Sequence, residues 1–201
     1  MQVPTNVQNR RLKGRLLGLG CTQRVGKDTV AEYLVGEHGW VQFAFADNVR
    51  ALTSALYPDV ADAVYHTNWE EAKEDLEVRK ALIDVGVEVR RHTHPDVWIW
   101  AIAEQVAKVR NQGKDVVISD VRFLDEVRFV RQTGGRNICL TREGSPQADL
   151  RSESLTEADF DYVHRNDGDI DELYEWVDDF IINDGAVSIL DDVTLKDAGI
   201  L

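Results

Sequence analysis

One stretch near the N-terminus constrains the fold more than any other part of the sequence. Residues 16–34, LLGLGCTQRVGKDTVAEYL, begin as an apolar run, break at Gly20 and resume as a helical pattern after Gly26-Lys27. A strand that passes through a glycine-bearing turn into a helix directs several backbone N–H groups into one concave space. The helix N-terminus adds partial positive charge to that space. The stretch therefore predicts a phosphate-binding loop, with an ordinary β-turn-α connection that binds nothing as the alternative.

The stretch departs from the usual phosphate-loop pattern at two positions. Cys21 stands where the pattern has its first glycine, and Asp28 stands where it has serine or threonine. Either Cys21 has a backbone conformation open to ordinary residues, or Gly20 adopts the demanding one. Asp28 suits a Mg²⁺ ligand beside phosphates. Alternatively it favours the first helical turn by about 0.3–1 kcal/mol while Thr29 serves the metal. Lys27 is expected to extend over the β- and γ-phosphates of a nucleotide.

Length and composition predict a single domain without a membrane span. The 201 residues suit one domain with a full core, and 43% hydrophobic and 29% charged residues are usual for a globular protein. No apolar run approaches the length that spans a bilayer. The N-terminal residues include basic side chains but lack the apolar core of a signal peptide. Residues 1–14 are therefore expected to form a short flexible arm and not a signal peptide.

The net charge and the number of cysteines limit which binding partners and which cellular compartment are expected. The formal net charge of −13 argues against a nucleic-acid polymer as the main partner. Cys21 and Cys139 are the only cysteines in the sequence, which is too few for a disulfide framework, and they lack metal-ligand spacing. Two reduced thiols in a cytoplasmic protein are the simplest expectation.

Strand and helix patterns alternate along the chain, which predicts a three-layer α/β sandwich with a parallel sheet. Strands are expected near 16–20, 40–45, 115–120, 137–140 and 162–164. Helices are expected near 27–38, 46–57, 76–89, 95–113, 123–132 and 170–182. Residues 59–75 are expected to be a surface excursion with a helical turn or two, and 183–201 a loosely held acidic tail. Ligands of such sheets gather at the carboxyl ends of the strands.

Two candidate catalytic residues follow the apolar strand near 115–120. Asp120 closes this strand, where a carboxylate can orient Mg²⁺-bound waters or accept the proton of an attacking group. Its alternative role is a helix N-cap. Arg122 is two residues further on and can bind a phosphate with two parallel hydrogen bonds. Its alternative is a surface ion pair with Glu126, which stabilises little.

Other candidates precede this strand on predicted helices. Arg50 and Arg79 lie near the predicted cleft, which favours contact with an anionic substrate, although single helical arginines are usually solvated. Trp98 or Trp100 could stack on a base, but an indole at apolar helical spacing more often packs in the core.

Two arginines lie in a polar segment at 142–159, which is expected to be mobile. Arg142 and Arg151 are candidates for lid arginines that neutralise a transferring phosphate only when the lid is closed. The alternative is that they balance acidic neighbours on an exposed loop.

Five segments resemble, in this order, the deoxynucleoside monophosphate kinases of bacteriophages. They are GCTQRVGKDTVAEYL, FAFADNVRALTSALY, RKALIDVGVEVRRHTHPDVWIWAIAEQV, VVISDVRFLDEVRFVRQTGGRNICLTR and RNDGDIDELYEWV. The resemblance covers about residues 15–182. It implies a P-loop nucleoside monophosphate kinase-like fold, with ATP and Mg²⁺ as phosphoryl donor and a 5′-deoxynucleotide as acceptor.

The resemblance also implies roles for individual residues. The residues matched to the ATP site are Cys21, Arg24, Val25, Gly26, Lys27, Asp28 and Thr29 at the phosphates, with Asn166 and Asp167 approaching the adenine. Those matched to the acceptor are Asp47 and Arg50 at a helix start and Arg79 in a region of about 46–95. Those matched to phosphoryl transfer are Asp120 and Arg122 between the two substrates, and Arg142 and Arg151 in the lid.

The sequence therefore predicts transfer of the γ-phosphoryl group of ATP to a deoxynucleoside monophosphate. Two alternatives remain open: a related kinase of another small acceptor, such as dephospho-coenzyme A or a phosphorylated mevalonate, and a nucleotide-binding switch or assembly ATPase without an acceptor. Neither a nucleic-acid polymer nor a membrane is expected as partner, and the sequence is compatible with a homodimer.

Overall fold

The computed structural model describes residues 13–145 and 155–197, with side chains up to residue 183. The strands in this part of the chain are β1 (Leu16–Cys21), β2 (Val41–Phe43), β3 (Val116–Val121), β4 (Arg136–Thr141) and β5 (Tyr162–Arg165). The helices are α1 (Lys27–His38), α2 (Phe45–Leu56), α3 (Pro58–His66), α4 (Trp69–Ala72), α5 (Leu76–His92), α6 (Val97–Asn111), α7 (Leu124–Gln132) and α8 (Ile170–Asp197). A short 3₁₀ turn covers Glu157–Asp159.

The five described strands form one parallel sheet in the order β2-β3-β1-β4-β5. The chain leaves β1 with β3 on one side and β4 on the other, so the strand order reverses there. In an open α/β sheet, the crevice at such a reversal is where ligands bind. The predicted phosphate loop follows β1 directly, and therefore lies at this crevice.

Side chains alternate across the sheet into two apolar cores. Leu16, Val116 and Ile118 belong to a core that includes residues of α2, α5, α6 and α7. Leu17 and Val117, their neighbours in the chain, belong to a second core with α1 and α8. Because each fully buried leucine contributes about 1.5–3 kcal/mol, both layers hold the sheet firmly. The predicted three-layer sandwich is confirmed.

The region between β2 and β3 is more helical than the sequence predicted. Residues 59–75 were expected to be largely a surface excursion, but α3 and α4 occupy much of them. Pro58 begins α3 as well as following α2, because its missing N–H and restricted φ suit a first helical turn. Asn68 then caps α4 by accepting hydrogen bonds from the N–H groups of Glu70 and Glu71. Val60 of α3 and Ala72 of α4 form a small apolar cluster with Val78 and Ala81 of α5.

Two further expectations differ from the structure. Helix α2 begins at Phe45, so Asp47, which was placed at the helix start, lies inside its first turn, and Ala44 is the N-cap. Helix α8 continues to Asp197, so the expected loose tail is helical as far as that residue. In the described part of the chain, none of the helices has the length and apolar character to cross a bilayer.

Candidate active site

The loop between β1 and α1 has an unusual backbone. Cys21, Arg24 and Gly26 have φ angles of 77°, 59° and 95°, all in the left-handed region. Left-handed residues among ordinary ones curve the chain so that successive N–H groups face a common concavity, which binds anions. The sequence left open whether Cys21 or Gly20 takes the demanding conformation, and it is Cys21. Gly20 has another role, because a Cβ there would lie 2.4 Å from the ring of Phe160.

Cys21 is also joined to Cys139 by a disulfide bond, with the two Cα atoms 5.1 Å apart. This separation is usual for a disulfide. Cys139 is fully buried in β4 and pairs in register with Gly20, so β4 presents its sulfur to the start of the loop. The expectation of two reduced thiols therefore differs from the structure. The sequence could not show the pairing, because it depends on the register of strands 118 residues apart.

Lys27 is the cation at the centre of the site. Its ammonium group donates a hydrogen bond to the carbonyl oxygen of Thr22 and closes the loop on itself. Burial, with a smaller effect of the Arg122 charge, lowers the pKa of Lys27 to about 8, and Asp28 and Asp120 oppose that shift. Arg122, Asp28 and Asp120 therefore all lie near the Lys27 ammonium group. The adjoining cavity is lined by Arg24, Val25, Gly26, Lys27, Asp28, Thr29 and Arg142.

Asp120 lies at the end of β3 and caps a helix, although not the one that follows it. Its two carboxylate oxygens accept hydrogen bonds from the N–H groups of Phe45, at 2.8 Å, and Ala46, at 2.9 Å. These groups belong to the first turn of α2, where a carboxylate is favourable. Burial raises the pKa of the Asp120 carboxyl, and the hydrogen bonds and Arg122 oppose the rise. Each oxygen has a further lone pair, so a role toward a metal stays a prediction.

Arg122 presents an exposed side chain close to Lys27. Within the described residues its guanidinium has neither an ion pair nor a hydrogen bond, so the alternative role, an ion pair with Glu126, is not found. Glu126 instead accepts hydrogen bonds from the backbone N–H groups of Arg122, at 2.7 Å, and Phe123, at 3.1 Å. The backbone of Arg122 is thus held while its charge remains available to an anion.

Glu126 is a residue whose role the sequence analysis missed. It is buried, and Arg90 approaches it to 3.5 Å while also pairing with Asp125 at 2.6 Å. Burial and the charge of Asp120 raise the pKa of Glu126 to about 8. The available signal was its position in the first turn of α7, where glutamate often bonds back to the chain preceding the helix.

The loop between β5 and α8 contacts the predicted phosphate loop and the residues that follow β4. Asn166 is buried, and its side-chain amide donates to the carbonyl oxygen of Val25 at 2.9 Å. Asp167 accepts from the N–H of Glu143 at 2.7 Å. Arg142, which lines the cavity, donates to the carbonyl oxygen of Gly168 at 3.0 Å. Arg151 lies outside the described residues.

The predicted acceptor residues are spread over α2, α5 and α6. Asp47 accepts from the N–H of Ala44 at 3.2 Å and pairs with Arg50 at 3.3 Å. Arg79 is exposed near the start of α5. Trp98 is 7% exposed and donates its indole N–H to the carbonyl oxygen of Gly86 at 3.0 Å. A base could stack on Trp98 only if this packing opened, so the structure favours the core-packing alternative.

The described strands and helices define the class of fold: an α/β sandwich of the kind found in P-loop, nucleoside monophosphate kinase-like proteins, with the predicted phosphate loop at the centre of a parallel sheet. No family model matches the chain. A protein of Acanthamoeba polyphaga mimivirus named "Putative deoxynucleotide monophosphate kinase" is 26% identical over 180 residues, which cover 81% of this chain and 93% of that protein.

Solved structures align with most of the chain. A Chloroflexus aurantiacus protein described as a "putative kinase" superposes with a TM-score of 0.50 at 12% identity, covering 86% of this chain and 98% of its own. The dephospho-CoA kinase of Campylobacter jejuni superposes with a TM-score of 0.46 at 13% identity, over 85% of this chain and 97% of its own.

Proposed function

We propose that this protein is an ATP-dependent kinase of deoxynucleoside monophosphates, which forms a deoxynucleoside diphosphate and ADP. The observation that carries the proposal is that Lys27, in the predicted phosphate loop, lies near Arg122. Among the residues that the structure describes, none forms an ion pair with the Arg122 guanidinium. Two cations held close together at the end of a sheet suit two phosphate groups that must meet. The name of the mimivirus relative, which is similar over nearly its whole length, supports the same acceptor class.

The donor side of the site would bind the polyphosphate of ATP. Left-handed residues such as those of the loop typically turn backbone N–H groups toward a common concavity, and Arg24 and Arg142 line the cavity beside it. Lys27 would exchange its bond with the Thr22 carbonyl for phosphate oxygens. This exchange favours the charged ammonium, because a dianionic phosphate is a stronger acceptor than a carbonyl.

The residues present fit Mg²⁺ only together with a nucleotide. Among the described side chains, no group of three or more His, Cys, Asp or Glu is placed to hold a metal ion. Mg²⁺ is commonly held by substrate phosphates, waters and one or two carboxylates, and Asp28 and Asp120 both lie close to Lys27. Asp28 is exposed at the cavity and is the better candidate of the two. The ion would supply neutralisation of the developing charge on the β- and γ-oxygens.

The acceptor would approach from the side of α2. Its 5′-phosphate would bind Arg122, whose guanidinium can form two parallel hydrogen bonds with phosphate oxygens. Asp47, Arg50 and Arg79 are proposed to contact the rest of the acceptor. Since α2 is anchored to the end of β3 through Asp120, the acceptor side is held at a fixed position relative to the donor side.

In this reaction the protein would contribute mainly by positioning the substrates and neutralising their charge, and less by transferring protons. An oxygen of the acceptor 5′-phosphate forms the new bond to the γ-phosphorus, and the bond from that phosphorus to the oxygen of ADP breaks. The acceptor phosphate has a second pKa of about 6, so it is largely dianionic at neutral pH. Its attacking oxygen therefore carries no proton that a general base would have to remove. Asp120 is therefore free to serve as an anchor, while Lys27, Arg122, Arg142 and Arg151 neutralise charge.

A coupled phosphotransfer assay tests the proposal. The four deoxynucleoside monophosphates and their ribose counterparts are supplied with ATP and Mg²⁺, and both ADP and the diphosphate product are measured. We expect ADP to form in equal amount with a deoxynucleoside diphosphate, and Lys27→Ala to lose turnover by orders of magnitude without loss of fold. ATP hydrolysis that no acceptor alters would contradict the proposal in favour of a switch or ATPase. Phosphorylation of dephospho-coenzyme A or a phosphorylated mevalonate instead would identify a related kinase.

A further inference from the structure

We infer that Asn166 positions the phosphate loop by holding one peptide group, and does not act by contacting the adenine base. The inference rests on the proposed nucleotide site. It states that Asn166 raises the affinity of that site for the triphosphate part of the nucleotide. Asn166 is thus a positioning residue, which acts on the ligand through the backbone of the loop.

Asn166 is fixed at both its backbone and its side chain. Its own N–H donates to the carbonyl oxygen of Thr141 at 2.8 Å, which fastens it to the end of β4. Its side-chain amide donates to the carbonyl oxygen of Val25 at 2.9 Å, across 141 residues of sequence. The residue is 5% exposed, so it offers a base very little surface.

The bond to Val25 sets the direction of one N–H group in the loop. In a planar trans peptide the C=O and N–H bonds point in opposite directions. The Val25 carbonyl points toward Asn166, so the N–H of Gly26 points away from Asn166. The cavity is lined by the loop itself and Arg142, whereas Asn166 is not part of its wall. Holding this carbonyl therefore turns the Gly26 N–H toward the side on which a phosphate would bind.

The position of the Asn166 amide depends on the absence of a side chain at Gly26. A Cβ on Gly26 would lie 2.7 Å from the side-chain nitrogen of Asn166, which is closer than the two atoms can approach. Gly26 also has a φ of 95°, which L side chains rarely adopt. The glycine before Lys27 thus leaves room for the amide that holds the loop, and the amide in turn holds the peptide before the glycine.

A ligand without a base separates this role from an adenine contact. Binding of ATP and of inorganic tripolyphosphate, each with Mg²⁺, is measured by calorimetry for the wild type and for Asn166→Ala. We expect both ligands to weaken by the same factor of about tenfold, the size of one well-placed hydrogen bond. In turnover, the KM for ATP should rise while the KM for the acceptor is unchanged. If ATP alone weakens, or if neither ligand weakens, the inference is wrong.

Control variants keep the result interpretable. Asn137 is also buried, and its amide donates to the carbonyl of Val127 at 3.1 Å, so Asn137→Ala removes a similar bond from α7. It should lower the melting temperature while the affinities for both ligands stay as in the wild type. Should Asn166→Ala not fold, Asn166→Ser keeps a polar side chain too short to reach Val25, and the same equal loss is expected. An equal loss in Asn137→Ala would overturn the inference.

The two proposals can fail separately. A wild type that binds both ligands but phosphorylates no nucleoside monophosphate contradicts the proposed function and leaves the role of Asn166 intact. A working kinase in which Asn166→Ala binds both ligands normally contradicts only the role of Asn166. A wild type that binds neither ligand contradicts both.

Discussion

The carboxylate of Asp120 accepts a hydrogen bond from the backbone N–H of Phe45 at 2.8 Å, although 75 residues separate the two in sequence. With the second bond, from Ala46, it attaches the first turn of α2 to the end of β3. The residue predicted to act on the metal or on the substrates is thus also the anchor of the predicted acceptor region. Stability and turnover should therefore respond together when this carboxylate is changed.

Asp120→Asn should destabilise the protein and reduce turnover. The amide replaces one acceptor by a donor, which would face the N–H of Phe45 or Ala46 and leave a buried group unpaired. The expected loss is about 1–3 kcal/mol, or roughly 2–4 °C in Tm for each kcal/mol in a chain of this size, measured by thermal unfolding. Asp59 is an exposed aspartate in the first turn of α3, and Asp59→Asn should change stability by less than about 0.5 kcal/mol. Equal Tm values for the two variants would contradict the anchoring role.

The affinity for ATP should fall as the pH rises through the pKa of Lys27. In the free protein, burial and Arg122 lower this pKa to about 8, and a bound polyphosphate should raise it again. Binding then takes up a proton above about pH 8, so affinity decreases with pH by up to about tenfold per unit. Calorimetry between about pH 7 and 10 measures the effect, and Lys27→Met should bind weakly at every pH without this midpoint.

The same pKa also predicts how the stability of the free protein depends on pH. Between about pH 8 and 10.5 the unfolded chain keeps the Lys27 proton that the folded chain has lost. Unfolding therefore takes up a proton, and the contribution of Lys27 to the free energy of unfolding rises with pH in this window. Lys27→Met should remove that contribution, and an identical pH slope in the two proteins would argue against the lowered pKa.

Arg122→Ala should impair use of the acceptor and also shift the pH profile of ATP binding. Without the guanidinium the acceptor phosphate loses a charged contact, so its KM should rise by at least about tenfold. Because Arg122 helps to lower the pKa of Lys27, its removal should move the ATP-binding midpoint to higher pH. Steady-state kinetics and calorimetry measure the two effects.

Arg91 supplies the control for Arg122. It is exposed on α5 and pairs only loosely with Glu88, at 3.7 Å. Arg91→Ala should leave both the KM of the acceptor and the pH midpoint unchanged. If the KM for ATP changed in Arg122→Ala while the KM for the acceptor did not, Arg122 would belong to the donor side.

Reduction of the disulfide should loosen the start of the phosphate loop. A non-glycine residue in the left-handed region is unfavourable, and the bond to Cys139 holds Cys21 there. Treatment with dithiothreitol should lower the stability by about 2–4 kcal/mol and weaken ATP binding. Cys21→Gly should bind ATP equally well with and without reductant, since glycine adopts this conformation freely. If both thiols are alkylated in unreduced, denatured protein, the disulfide is absent.

Local signals in the sequence were sufficient for the core of the fold. Lys27 to His38 was predicted as a helix with both ends correct, because Gly39 supplies a left-handed C-terminal residue and the glycine-lysine pair marks the start. The order of strands and helices followed from alternating apolar patterns. The error at α3 and α4 arose where the apolar pattern was weak and the helices are held by contacts with one another.

The sequence could not reveal relationships that depend on how distant segments meet. Asp120 was recognised as a strand-ending carboxylate with N-cap character, but not as the cap of a helix that precedes it by 75 residues. Asn166 was placed near the nucleotide by resemblance, whereas its contact with Val25 requires the loop after β5 to lie beside the loop after β1. The pairing of Cys21 with Cys139 likewise requires the register of β1 against β4.

The bond between Cys21 and Cys139 closes residues 21–139 into a covalent ring, since 118 positions separate the two cysteines. Helices α1 to α7 all lie on this ring, whereas β5 and α8 extend from it. A protease that cuts once between the cysteines would therefore release no fragment until a reductant is added. A cut after β4 would free the C-terminal part, Asn166 included, while the ring stays closed.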